Sequence, residues 1–374
     1  MKKIKKSIII LILIVATLLL TGVAIFFNYY NKMNIEEPDN IKITEEEKEK
    51  YDNQEKDESL VNSDDKTISD VENNINDNIS SEIKDILDND LQNKGEESPV
   101  TAPDKETTLE DIINSKNIFN ILLIGTDNRE INGRGRSDSM IICSINKDTK
   151  EIYLTSILRD CYLSIPGYGN NRINASYAYG GTQLLIDTIK ENFKINIDRY
   201  VKVDFFSFMK IVDCIGGIDI ELSSDEIKVL NDYLWDKQAG DKITTGAGIY
   251  HLNGNQTLAY SRNRYTGHSD FARTNRQRKV LMAIKDKTKD LSIIELNSLF
   301  NELLPLVTTN LTEKECLEFL LDIKSYMKSD IKSNRIPYDK TYKGVTIDKM
   351  SVISIDFDTN IKNFYRDVYG ITQE

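Results

Sequence analysis

The chain has 374 residues, a formal charge of −12, 40% apolar residues and only two histidines. That length and apolar content suffice for one large domain or two ordinary ones with a buried core. The acidic balance argues against a nucleic-acid partner, and the histidine count leaves little room for a Ser-His-Asp arrangement.

The chain opens with "MKKIKKSIIILILIVATLLLTGVAIFF", in which four lysines precede an apolar run over residues 7–27. Such a run is long enough to cross the ~30 Å hydrocarbon core as one helix. It ends in Phe-Phe-Asn-Tyr-Tyr instead of a small-residue cleavage site, so it reads as an uncleaved anchor. The lysines keep residues 1–6 in the cytoplasm, which makes a single-pass cell-membrane protein with everything after Phe27 outside. Between Glu36 and Glu110 stand 25 acidic side chains, 8 lysines and no arginine, a charge of −17. Residues 28–111 therefore read as a disordered, self-repelling linker that lets the attached domain work some distance from the lipid surface. Within it "ISSEIKDILDNDL" has weak helical periodicity, enough for a transient helix. The remaining residues, 112–374, form the folded domain, and from Asp111 onward the charges sum to zero.

The domain begins with "IFNILLIGTDNR", a buried strand running into a glycine-containing loop. "SMIICSINKDTKEIYLTSILRD" follows as a hairpin around an Asn-Lys-Asp-Thr-Lys turn. "ASYAYGGTQLLIDTIKENF" reads as a helix, "RYVKVDF" as a strand, "FSFMKIVDCIGG" as a helix stopped by glycine, and "IDIEL" as a strand. Later, "RKVLMAIKDKTKDL", "SIIELNSLFNELLPLV" and "TEKECLEFLLDIKSYM" are helical, and "GVTIDKMSVISIDF" supplies β structure. Strands alternating with helices predict an α/β layered domain. Cys143, Cys161, Cys214 and Cys316 lack metal-ligand spacing and read as free thiols packed like small hydrophobes.

Arginine is the unusual feature. Ten of the thirteen fall in four groups: Arg129, Arg134 and Arg136; Arg159; Arg172; and Arg262, Arg264, Arg273, Arg276 and Arg278. An extended segment would point Arg262 and Arg264 to one side. "SDFARTNRQRKVLMAI" has the form of a helix start capped by Ser269 or Asp270, with Arg273 in the first turn and Arg276 and Gln277 on the same side. A cation against the positive end of a helix dipole calls for an anion, and guanidinium suits phosphate. The alternative is ordinary ion pairing with nearby carboxylates. Asp127 and Asp138, at strand ends, could be those partners or ligands for a hard cation such as Mg²⁺. His251 and His268 read as structural or solvent-facing.

Together "NILLIGTDNR", "GRSDSM", "TSILRD", "RINASYAYGG", "GGIDIEL", "YHLNGNQTLAYSRNRY" and "DFARTNRQR", between Phe119 and Lys279, resemble the LytR-CpsA-Psr family of Gram-positive envelope enzymes. The resemblance implies a three-layer α/β/α sandwich with an apolar pocket for a polyprenyl chain. It implies a transferase that moves a glycopolymer, such as wall teichoic acid or capsule, from a polyprenyl-pyrophosphate carrier onto peptidoglycan during cell-wall biogenesis. By motif, Asp127 and Asp138 match magnesium-site aspartates and stand with Arg136, Arg262 and Arg264 as candidate catalytic residues. Arg136, Arg159, Arg262, Arg264, Arg273 and Gln277 match residues that hold the pyrophosphate. Arg172 takes the place of a family lysine, and Leu158 that of a proline. The rival readings are a polyprenyl-pyrophosphate hydrolase, a module that only binds anionic polymers, and a regulatory membrane protein.

Overall fold

A computed structural model describes residues 30–39, 42–61, 117–127, 135–235, 241–267, 269–292, 295, 299 and 302–371. The expected membrane span at 7–27 and the linker stretch 62–111 lie outside them. Among the described residues no helix is long and apolar enough to cross a membrane.

The linker reading needs correction over its first part. Strand β1, Asn34–Ile35, joins the edge of the central sheet, and helix α1, Glu45–Val61, follows. Helix α1 starts at a reciprocal cap: Glu47 N–H donates to the Thr44 hydroxyl while Thr44 N–H donates to the Glu47 carboxylate. Isolated apolar side chains cannot build a core of their own, but Ile43 and Tyr51 pack onto one already formed by the domain. Composition predicted that this segment would not fold alone and was silent on whether it could dock.

Strand β2, Ile118–Thr126, pairs antiparallel with β3, Ser137–Asn146, which turns back as β4, Ile152–Ile157. A short hairpin absent from the sequence expectation, β5 (Tyr162–Ile165) and β6 (Gly169–Arg172), leads into α2, Ile173–Phe193. Strand β7, Arg199–Asp204, then runs parallel to β2. Helix α3, Phe205–Cys214, is capped by the Asp204 side chain on Ser207 N–H. Next come β8 (Ile218–Leu222), α4 (Ser224–Tyr233), β9 (Gly248–Leu252), α5 (Gly254–Arg262) and α6 (Ser269–Thr288). Strand β10 (Thr308–Thr309), α7 (Glu313–Lys328), β11 (Ile331–Ile336), the hairpin β12 (Tyr342–Ile347) and β13 (Met350–Ile355), and α8 (Phe357–Phe364) complete the domain. Of the expected helix in "SIIELNSLFNELLPLV", residues 293, 294, 296–298, 300 and 301 lie outside the described residues, Glu295, Leu299, Glu302 and Leu303 are helical, and the end is a 3₁₀ turn at Leu304–Leu306.

The seven-stranded sheet runs β1-β10-β7-β2-β3-β4-β11. Alternation along β2 divides its apolar side chains between two faces. Leu122 and Ile124 meet Leu185 and Ile189 of α2 on one face, while Ile121 packs with Tyr326 and Phe319 of α7 on the other. Helices therefore cover both faces of a mixed α/β sheet. A second core forms where α3, α4, α5 and α6 close over the β8–β9 hairpin, around Val212, Leu230, Tyr260 and Val280. All four cysteines are free thiols, in agreement with the sequence reading.

Helix α2 breaks at Gly180 and Gly181, the latter at φ +70°. Such a break leaves backbone N–H groups without helical partners. Asp39 satisfies them from the other end of the chain, its carboxylate accepting Thr182 N–H at 2.9 Å and its carbonyl accepting Gln183 N–H at 3.1 Å. Losing such a cap costs about 1 kcal/mol, so Asp39→Ala should lower the urea midpoint without changing the slope. Gly181→Ala should cost more, because a Cβ there would stand 2.6 Å from the Asp39 carboxylate at a left-handed φ. An unchanged midpoint for Asp39→Ala would mean that the N-terminal segment does not brace the helix.

Candidate active site

Strands β2, β7, β4 and β11 point the same way, and the antiparallel β3 starts where they end. That carboxyl edge gathers Asp127 after β2, Asp138 at the start of β3, Arg159 and Asp160 after β4, and Phe205 after β7. Loops at such an edge are the usual place for binding groups in α/β sheets.

Arg159 donates from Nη1 to Asp138 Oδ1 at 2.8 Å. Its Nε stands 3.6 Å from Asp160 Oδ1 and 3.5 Å from Asp270 Oδ2. Arg172, at the end of β6, lies 3.6 Å from the same Asp160 oxygen and donates from Nη2 to the Ser351 carbonyl at 2.8 Å. Arg264 approaches Asp138 and Asp270 at 3.8 and 3.7 Å, and Arg273 meets Asp270 at 3.1 Å. Four guanidinium groups thus meet three carboxylates at one end of the sheet. One positive charge is in excess if all seven groups are ionised.

Burial by itself favours protonated carboxyls. At Asp138 the charges of Arg159, Arg273 and Arg264 overcome that burial and hold the carboxyl well below the usual range. Asp270 is held down against its burial by Arg273 first, then by a hydrogen bond with Asp160 and the charges of Arg159 and Arg264. Asp160 goes the other way: burial, then the Asp270 charge beside it, push it up to about 7 despite Arg159 and Arg172. Near neutrality Asp160 and Asp270 therefore titrate as a pair. Burial lowers Arg273 to about 10; Asp270 opposes that shift, while Arg264 and Arg159 add to it. Arg273 stays charged, its side chain is 3% exposed, and its Nε makes no hydrogen bond. Buried N–H groups nearly always have a partner, and an oxyanion with several oxygens is the partner this cluster suits.

Asp127 and Arg136 form a separate pair at the same edge. The Asp127 carboxylate accepts Arg136 N–H, and Asp127 N–H donates to the Arg136 carbonyl at 3.2 Å. The Arg136 guanidinium lies 5.2 Å over the Tyr51 ring of α1. Gln277 accepts from Ser139 Oγ at 3.1 Å, one residue from Asp138. Among the described residues no group of three or more Cys, His, Asp or Glu gathers as a metal cage. Two carboxylates alone suit a Mg²⁺ that takes its other oxygens from phosphate and water.

The extended segment expected for Arg262 and Arg264 is corrected. Helix α5 runs through Arg262, begun by a capping box between Asn253 and Gln256 that is visible in "HLNGNQT". Arg262 consequently stacks 4.8 Å from Phe205, 5.8 Å from Tyr233 and 5.9 Å from Trp235, while Arg264 joins the carboxylates. Ser269 and Asp270 lie within the first turn of α6, not ahead of it, and Asp270 faces arginines. Arg276 binds Glu226 at 2.8 Å and the Asn263 carbonyl at 3.0 Å, and Arg278 donates to Ser156 at 2.6 Å, so both are structural. His251 bridges Asp219 at 2.6 Å and the Gly216 carbonyl at 2.7 Å on an exposed hairpin. His268, Arg129 and Arg134 lie outside the described residues.

Asp160 and Asp270 escaped the sequence reading. Asp160 stands in the quoted "TSILRD", and Asp270 at a helix start has a sufficient local explanation as a cap. A folded pKa raised above the unfolded value contributes stability that is complete at low pH and is lost as pH rises through the folded pKa. The urea midpoint of the wild type should therefore fall between about pH 4, the unfolded value, and about pH 7. Asp160→Asn, which mimics the protonated acid, should flatten that fall, and parallel curves would remove Asp160 as its source.

Residues 76–363 match the model of the LytR_cpsA_psr family. The regulatory protein MsrR of Staphylococcus aureus (strain COL) is 30% identical over 253 residues, 66% of this chain and 74% of MsrR. The polyisoprenyl-teichoic acid–peptidoglycan teichoic acid transferase TagU of Bacillus subtilis (strain 168) is 34% identical over 228 residues, 60% of this chain and 69% of TagU. Among solved structures, the family protein YwtF (TagT) of Bacillus subtilis with bound octaprenyl pyrophosphate lipid superposes with a TM-score of 0.52 at 26% identity, over 68% of this chain and 92% of that one. The chain belongs to the LytR_cpsA_psr family.

Proposed function

We propose that this protein is a transferase that moves an anionic or capsular glycopolymer from a polyprenyl-pyrophosphate carrier onto peptidoglycan. The observation that carries the reading is the cluster of Arg159, Arg172, Arg264 and Arg273 at the carboxyl edge of the sheet, held open by carboxylates at 2.8 to 3.8 Å. The name of TagU and the pyrophosphate lipid bound to TagT point the same way. The three-layer family fold accords with helices on both faces of the sheet. The apolar run at 7–27 with its lysines supports a single-pass anchor and a domain outside the cell, where peptidoglycan lies.

In this reading the arginines take over the pyrophosphate oxygens, exchanging long contacts to Asp138, Asp160 and Asp270 for close ones to substrate. A sugar hydroxyl of peptidoglycan attacks the phosphorus that carries the polymer, and its proton goes to the departing phosphate. The bond from that phosphorus to the bridging oxygen breaks, and polyprenyl phosphate leaves with the bridging oxygen. Arg264 and Arg273 sit where negative charge grows on the leaving phosphate and cost no reorganisation at that moment. Asp138, held well below the usual carboxylate range, is a poor proton acceptor and a better anchor for cations. A Mg²⁺ held by Asp127 and Asp138 would supply further neutralisation of the pyrophosphate.

Incubating the full chain with a polyprenyl-pyrophosphate glycan, Mg²⁺ and peptidoglycan should yield a covalent glycan–peptidoglycan product. Free glycan phosphate alone would favour a hydrolase, and no turnover would favour a binding or regulatory protein. Arg264→Ala and Arg273→Ala should each lower kcat/KM by about 10²-fold or more. Arg276→Ala, outside the cluster, should reduce the urea midpoint and leave turnover per folded molecule near the wild-type value. Undiminished transfer by folded Arg264→Ala would refute the assignment.

A further inference from the structure

Helix α1 is an unexpected neighbour for a cleft suited to anions. It precedes the residues that match the family model, and its side chains are mostly acidic or polar. Lys48, Tyr51 and Asp52, three and four positions apart and so on one face, carry contacts to the domain. Lys48 Nζ donates to the Tyr168 carbonyl at 3.4 Å and lies 5.9 Å over the rings of Tyr168 and Tyr179. Tyr51 meets Tyr179 edge-on at 5.6 Å. The Asp52 carboxylate accepts from the Tyr179 hydroxyl and, at 3.2 Å, from the Asn171 amide.

Two of these contacts lead into the site. Asn171, held by Asp52, accepts Arg172 N–H through its side-chain oxygen at 2.8 Å. Helix α1 also lies against β13, whose Ser351 carbonyl receives the Arg172 guanidinium. Tyr51 reaches the other side of the cleft, where its ring carries the Arg136 guanidinium at 5.2 Å. Backbone pairing with Asp127 fixes where Arg136 starts, not where its long side chain ends.

We infer that Tyr51 is a positioning residue of the active site, whose ring holds the Arg136 guanidinium where its charge meets the pyrophosphate; the inference rests on the function proposed above. An aromatic face suits this task better than a carboxylate. It attracts the cation through the ring quadrupole, yet it brings no charge to cancel the guanidinium and accepts no hydrogen bond along the guanidinium edge. An anion can then be met by the edge of a group whose face is already fixed. The opposite reading is autoinhibition, in which Tyr51 sequesters Arg136 until α1 leaves. The rest of the same helix face argues against it, because Asp52 supports the hairpin end that presents Arg172, and undocking α1 would loosen a second arginine of the site.

The full chain in detergent would be titrated calorimetrically with geranyl pyrophosphate, with the urea midpoint of each variant measured alongside. Tyr51→Leu, which keeps an apolar side chain and removes the π face, should weaken binding about fivefold. Tyr51→Phe, which keeps the ring, should bind as the wild type does. The loss should run through Arg136, so Tyr51→Leu/Arg136→Ala should bind no more weakly than Arg136→Ala alone. Equal affinities of Tyr51→Leu and wild type would overturn the inference, as would Tyr51→Phe binding as weakly as Tyr51→Leu, or an additive loss in the double variant. Tighter binding by Tyr51→Leu would overturn it in favour of autoinhibition. Arg136→Ala binding like the wild type would also overturn it, while leaving the other arginines and the proposed function standing. A wild type that binds no geranyl pyrophosphate would fail the proposed function itself, and the role of Tyr51 with it.

Discussion

Asp138, Asp160 and Asp270 lie where carboxylates are costly, and arginines converge from strand ends, a hairpin and a helix to hold them there. The same constraint runs in reverse, since Arg273 is almost wholly buried and Asp270 opposes the burial that weakens its hold on the proton. Each set of charges makes the other tolerable, and neither satisfies the other completely. The contacts of 3.5 to 3.8 Å are ion pairs too long for good hydrogen bonds. A cleft assembled in this way is preorganised for an anion with several oxygens: positive charge is fixed in place before substrate arrives and needs only to change partners.

The sequence announced the framework more readily than the contacts. Strands β2, β3, β4, β7 and β8 and helices α2, α3 and α7 follow from apolar periodicity and stop signals, because burial acts on each element nearly independently. The hairpin β5–β6 carries little such signal: "YLSI" alternates over only four residues and "GNNR" is polar, so tertiary packing decides their pairing. The capping box of α5 is legible in Asn253 and Gln256, and a helix started there runs through Arg262, which an extended reading of the Arg262–Arg264 segment misplaces. A one-turn error at a helix end was enough to move a guanidinium from the carboxylates onto an aromatic surface.

The site residues themselves divide by the same logic. Arg159, Arg172, Arg264 and Arg273 could be picked out because guanidinium clustering is unusual in a chain with this charge balance. Asp160 and Asp270 could not, since an aspartate beside an arginine or at a helix start has a sufficient local explanation. Only the fold shows that these two carboxylates, 110 positions apart in sequence, face one another and split their affinities for a proton. The neutral total charge of the domain similarly conceals a polarised edge.

The docked N-terminal segment alters what the acidic region does. The Tyr30 hydroxyl donates to the Leu311 carbonyl at 3.3 Å, Asn34 to the Pro305 carbonyl at 3.0 Å, and Asp39 braces α2. Helix α1 and strand β2 belong to the same folded body, so the first acidic residues of the region are surface of the domain and not a tether to it.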